Sequence, residues 1–71
     1  MDMDHREYTN SQINELIQEY IHNEDDRKML FLRLVQGKTF EQIGEIACKD
    51  VKTVRKRIHA GEEILFAHLP G

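Results

Sequence analysis

Thr39-Phe40-Glu41-Gln42-Ile43-Gly44-Glu45-Ile46-Ala47, then Cys48-Lys49-Asp50, then Val51-Lys52-Thr53-Val54-Arg55-Lys56-Arg57-Ile58 is the stretch that decides the fold of this chain. Thr39 and Gln42 have the spacing of a capping box and open a short helix whose expected buried side is Phe40, Ile43, Ile46 and Ala47. The stripe stops at Cys48-Lys49, and Asp50 is placed to cap a second helix with Val51, Val54, Ile58, Gly61 and Leu65 on one face. A small residue at Gly44 lets two helices approach, Ile43, Val54 and Ile58 pin their crossing, and a short turn sets the angle. Residues 39–60 therefore have the form of a helix-turn-helix.

Upstream, Ile13, Leu16, Ile17, Tyr20 and Ile21 repeat at the spacing of a helix with one buried stripe, and Thr9, Asn10 or Ser11 can cap it. Asn23 offers a second N-cap, with Glu24, Asp25 and Asp26 where the positive end of a helix dipole favours carboxylates. Met29, Leu30, Leu32, Leu34 and Val35 fill that second helix, and Gly37 fits a left-handed C-terminal position. Gly61 marks a bend or a close helix contact, because glycine weakens a helix by about 1 kcal/mol relative to alanine. The expectation is a small all-α domain with helices near 11–22, 24–36, 40–47 and 51–68. An acidic tail over 1–10 precedes a single helical unit over 11–69.

The net charge of −3 hides a strong asymmetry. Residues 1–26 carry eight acids against one base, a net of −7, and residues 27–71 carry nine bases against five acids, a net of +4. Lys49, Lys52, Arg55, Lys56 and Arg57 stand against Asp50 alone within nine residues, a cationic segment dense enough to meet a polyanion. At about 100° per residue, the apolar face of the last helix turns Lys52, Thr53, Lys56 and Ala60 outward, with Arg55, Arg57 and His59 on the flanks. A helix lying in a major groove presents such a face.

Asp26-Arg27-Lys28-Met29-Leu30, Gly37-Lys38-Thr39-Phe40-Glu41-Gln42-Ile43-Gly44 and Lys52-Thr53-Val54-Arg55-Lys56-Arg57 together resemble the sigma-70 region 4 type of helix-turn-helix, over roughly residues 23–66. The chain looks especially similar to short stand-alone members encoded by phages and prophages, which end in a helix like Gly61-Glu62-Glu63-Ile64-Leu65-Phe66. In sigma factors this domain reads the minus-35 promoter element through its second motif helix and binds a flexible flap of RNA polymerase. The resemblance implies base-edge roles for Lys52, Thr53, Arg55 and Lys56 and phosphate roles for Lys38, Thr39 and Arg57; Lys49 and His59 join the candidate phosphate contacts. The chain departs from the family at Cys48, where glycine is usual, and at Lys49, where an apolar residue is usual. A left-handed Cys48 costs roughly 1 kcal/mol.

Composition and length exclude much else. Seventy-one residues, 39% apolar and 32% charged, suit one small core. A chain this short buries only about 60% of the surface it exposes unfolded, which leaves little room for a substrate pocket. No apolar run exceeds four residues, as in Met29-Leu30-Phe31-Leu32, so no membrane span is expected, and no apolar leader directs the chain out of the cytoplasm. His5, His22, His59 and His68 lack zinc-ligand spacing and the lone Cys48 lacks a second thiol, so neither a metal, a cofactor nor an enzymatic activity is expected. The expected function is sequence-specific binding of double-stranded DNA as a transcriptional regulator. The alternatives are a module that binds RNA polymerase or a sigma factor without reading DNA, and a DNA-packaging or assembly component. The apolar Ile64, Leu65, Phe66 and Leu69 make the C-terminal helix the candidate surface for a homodimer.

Overall fold

The structure, a computed structural model, describes residues 9–68. These residues form four helices and no strand: α1 (Asn10–Tyr20), α2 (Glu24–Leu30), which runs on as one π-helical turn (Phe31–Val35), α3 (Phe40–Ala47) and α4 (Val51–Ala67). The expected tail over 1–10 lies outside the described residues up to Tyr8, and Asn10 already belongs to α1.

Each helix start has a local cause. Thr9 is the cap of α1: its hydroxyl oxygen accepts from the Gln12 amide at 3.1 Å while its own amide donates to Gln12 Oε1 at 2.9 Å. Asn23 Oδ1 accepts from the Asp26 amide at 3.1 Å, and Glu24, Asp25 and Asp26 fill the first turn of α2 as the dipole favours. Thr39 and Gln42 make the expected reciprocal pair, at 3.1 and 2.9 Å. Asp50 has the extended backbone of an N-cap, yet its side chain takes no amide of α4; Oδ2 accepts instead from the Thr53 hydroxyl at 3.1 Å.

The ends differ more from the sequence reading. Helix α1 stops at Tyr20 rather than His22, because Ile21 turns extended and drops its side chain into the core. Arg27 secures that stop, donating through Nε to the Ile21 carbonyl and through Nη2 to the Gln18 carbonyl at 2.8 Å, two acceptors that a helix end leaves without partners. The second helix does reach Val35, but its last turn is wide: the Gln36 amide donates to the Phe31 carbonyl, five residues back, at 3.2 Å. Gly37 then reverses the chain at φ 69°, and the Lys38 amide donates to the Leu32 carbonyl at 3.0 Å.

One core holds the four helices. Ile17, Ile21, Met29, Leu30, Leu32, Ile43, Val54, Ile58 and Leu65 are buried together, with Phe40, Leu34 and Tyr20 packed at its edge. Ile46, expected in the core, is 43% exposed. The buried face of α3 is centred between Ile43 and Gly44, and Ile46 points about 110° away from it. Gly61 lets α2 approach α4, since a β-carbon there would stand 2.6 Å from Leu30 Cδ1.

Two core substitutions test this packing by chemical denaturation. Ile43→Ala should lose about 2–5 kcal/mol, as expected for emptying a fully buried site. Gly44→Ala should also destabilise, by about 1–3 kcal/mol, because a β-carbon there would stand 2.8 Å from the Lys49 carbonyl oxygen. A gain in stability at position 44, as helix propensity alone predicts, would show that the turn does not press on α3.

Candidate nucleic-acid interface

The turn between α3 and α4 determines which side of α4 is left open. Cys48 is left-handed, at φ 57° and ψ 44°, and is the one described residue other than glycine with positive φ. Its conformation sends the Lys49 amide back to the Gly44 carbonyl at 2.9 Å, the six-to-one bond of a Schellman turn. Lys49 is thereby folded over Gly44, and Val51 begins α4 against α3. With Val54, Ile58, Gly61 and Leu65 facing inward, the opposite side of the first turns of α4 carries Lys52, Thr53 and Lys56, with Arg55 on its flank, all four exposed.

These four candidate base contacts spread over about 160° of the exposed side of α4, from Arg55 at one edge to Thr53 at the other. Thr53 has committed its hydroxyl proton to Asp50, so its oxygen lone pairs and methyl group remain for a partner. Arg55 and His59 lie on the flank that faces Phe40: the Arg55 guanidinium carbon is 5.4 Å from the Phe40 ring centroid, and the His59 ring meets Phe40 edge-on at 6.2 Å. Lys38 and Thr39 lead into α3, Thr39 as its N-cap and Lys38 just before it. The Lys38 carbonyl accepts from Arg33 Nη1 at 2.9 Å, which fixes the backbone of that approach. Thr39 uses its oxygen and amide for the capping box and keeps its hydroxyl proton to donate.

The remaining two candidate phosphate contacts point elsewhere. Lys49 Nζ is 3.7 Å from Asp25 Oδ2, and Arg57 Nε is 3.5 Å from Asp26 Oδ1. Both carboxylates belong to the first turn of α2, so they complement the helix dipole and the two cations together. Asp26 Oδ1 is buried without a hydrogen bond, which leaves Arg57 as its electrostatic partner. Arg55 and Arg57 are two residues apart on α4, hence about 160° apart around its axis. Arg57 therefore lies on the flank opposite Arg55, about 40° beyond Thr53.

Arg33 and the aromatic role of Phe40 belong to the site without a signature in the sequence. The Arg33 guanidinium carbon stands 4.3 Å from the Phe40 centroid, so one ring gathers Arg33 from the wide turn of α2 and Arg55 and His59 from α4. No helical spacing signals that cluster, because its members lie on different segments of the chain.

Other surfaces are simpler. Among the described residues no group of histidine, cysteine and carboxylate side chains could hold a metal ion, and no helix is long and apolar enough to cross a membrane. Along the C-terminal turns, Leu65 is buried, Ile64 and Phe66 are 44% and 47% exposed, and Leu69 lies outside the described residues. Ile64 and Phe66 point about 160° apart, so they do not make one continuous apolar patch on α4. His68 stacks flat on Tyr20, with centroids 3.9 Å apart, and ties the end of α4 to α1.

Comparison with family models, curated proteins and solved structures returns no match.

The ion pairs at α2 make a prediction about stability. Asp26→Asn should cost about 0.5–1 kcal/mol at low salt, since the pair with Arg57 is partly solvated, and the difference from wild type should shrink in molar salt. Thermal melts at both salt concentrations provide the test; equal losses in both would show that the carboxylate acts through packing rather than charge.

Proposed function

We propose that this chain is a sequence-specific DNA-binding regulator of transcription, of the kind phages and other mobile elements encode. In this reading α3 and α4 act as a helix-turn-helix in the cytoplasm, and α4 enters the major groove. The single observation that carries the reading is the open side of α4, where Lys52, Thr53, Arg55 and Lys56 are exposed beside the left-handed turn at Cys48. Lys52, Thr53, Arg55 and Lys56 test base edges; Lys38, Thr39 and His59 meet phosphates on the Phe40 side. Lys49 and Arg57, paired to Asp25 and Asp26, contribute less to phosphate binding than their charge suggests. One such unit reads only a few base pairs, so specific binding calls for a second copy on a symmetric site or for a bound partner.

The second reading is a module that binds RNA polymerase or a sigma factor without reading DNA. The acidic side of the molecule favours it: Glu15, Glu19, Glu24 and Asp25 are exposed along α1 and the start of α2 and would repel a duplex approaching there.

A gel shift against duplexes selected from a random pool separates the two. Replacing both Lys52 and Lys56 with glutamate should leave stability within about 0.5 kcal/mol per exposed site and abolish binding. Thr53→Ala should relax sequence preference with little change in salt dependence, whereas losing a phosphate contact at Lys38 should shallow the slope of log affinity against log salt by about one. A folded double-glutamate variant that binds its selected duplex as tightly as wild type contradicts the DNA reading and favours the protein-interaction one.

A further inference from the structure

Phe40 occupies the first position of α3, half-buried against the core, with a guanidinium on either side of it in sequence: Arg33 from the wide turn of α2 and Arg55 from α4. Their carbons lie 4.3 and 5.4 Å from the ring centroid, within the range of a cation over an aromatic face. Arg33 is held in addition by its 2.9 Å bond to the Lys38 carbonyl, so the ring, the approach to α3 and the wide turn are braced as one unit. The two pairs on the other flank of α4 behave differently: Lys49 and Arg57 face carboxylates, which compete with any phosphate for the same N–H donors. A ring face attracts the cation through its quadrupole yet accepts none of the in-plane donors, leaving the Arg55 fork open to a base edge or a phosphate. It also limits the rotamers an arginine must give up on binding.

The geometry points to Phe40 as a positioning residue that presents the Arg55 guanidinium to DNA, with Arg33 as its brace. This assignment rests on the DNA-binding reading above and deepens it by naming what orients one of the reading side chains. The ring does not touch the duplex; its effect passes through Arg55.

A double-mutant cycle tests it, using the full chain and one duplex selected by the wild-type protein at fixed salt. Phe40→Leu, which keeps apolar bulk and removes the ring, should weaken binding about two- to fivefold. Phe40→Tyr, which restores a ring, should bind within twofold of wild type. In an Arg55→Ala background, Phe40→Leu should have no further effect on affinity. A loss that arises from altered folding persists in that background and multiplies with the loss from Arg55→Ala; that result, or unchanged affinity in Phe40→Leu alone, overturns the assignment while DNA binding stands. A wild-type chain that selects no duplex overturns the functional reading and this assignment together.

Discussion

The backbone of Lys49 lies directly over Gly44, close enough that a β-carbon there would meet the Lys49 carbonyl oxygen at 2.8 Å, and the rest of the molecule follows from that contact. It requires a left-handed residue at position 48 and a residue without a side chain at position 44, and the chain supplies Cys48 and Gly44. Cysteine is an expensive choice for the left-handed position, at roughly 1 kcal/mol, and the Schellman bond from Lys49 to Gly44 together with the burial of Ile43, Val54 and Ile58 outweighs that cost. Once the turn is made, the direction of α4 is set, its apolar stripe has only α2 and α1 left to pack on, and its cationic stretch faces away from the core.

Charge is then sorted by side. On one flank of α4, carboxylates from the first turn of α2 hold Lys49 and Arg57; on the other, an aromatic ring gathers Arg33, Arg55 and His59. Helix α4 thus has one cation, Arg57, used internally and others left open. The overall net charge of −3 shows none of this, since the acids that set its sign lie mainly in residues 1–26. A polyanion meets a local field rather than the total, which falls off over about 8 Å at physiological ionic strength.

Features governed by neighbours in sequence are legible in the sequence itself. The Thr39–Gln42 box, the Asn23 cap, the Gly37 reversal, the bounds of α3 and the inward stripe of α4 all depend on residues a few positions apart, and each has a side-chain signature. The unforeseen features depend on long-range placement. Ile46 looked buried because it is apolar and helically spaced, but the face of α3 is set by what packs over Gly44. Arg27 ends α1 from six and nine residues away, and Arg33, within the wide last turn of α2, meets Phe40 seven residues on. Long flexible arginines choose partners by proximity in the folded chain, which periodicity does not encode. For the candidate site, position on the open side of α4 was readable residue by residue, while the division of cations between carboxylates and the ring was not.

The most direct measurement is a titration of isotope-labelled protein with its selected duplex, followed by the backbone amide and arginine side-chain resonances. The account predicts that the largest shifts fall on Lys38, Thr39, Lys52, Thr53, Arg55 and Lys56, with the Arg55 guanidinium among them and with Glu15, Glu19 and Glu24 unmoved. Shifts concentrated on α1 and the start of α2, with the open face of α4 silent, would contradict it.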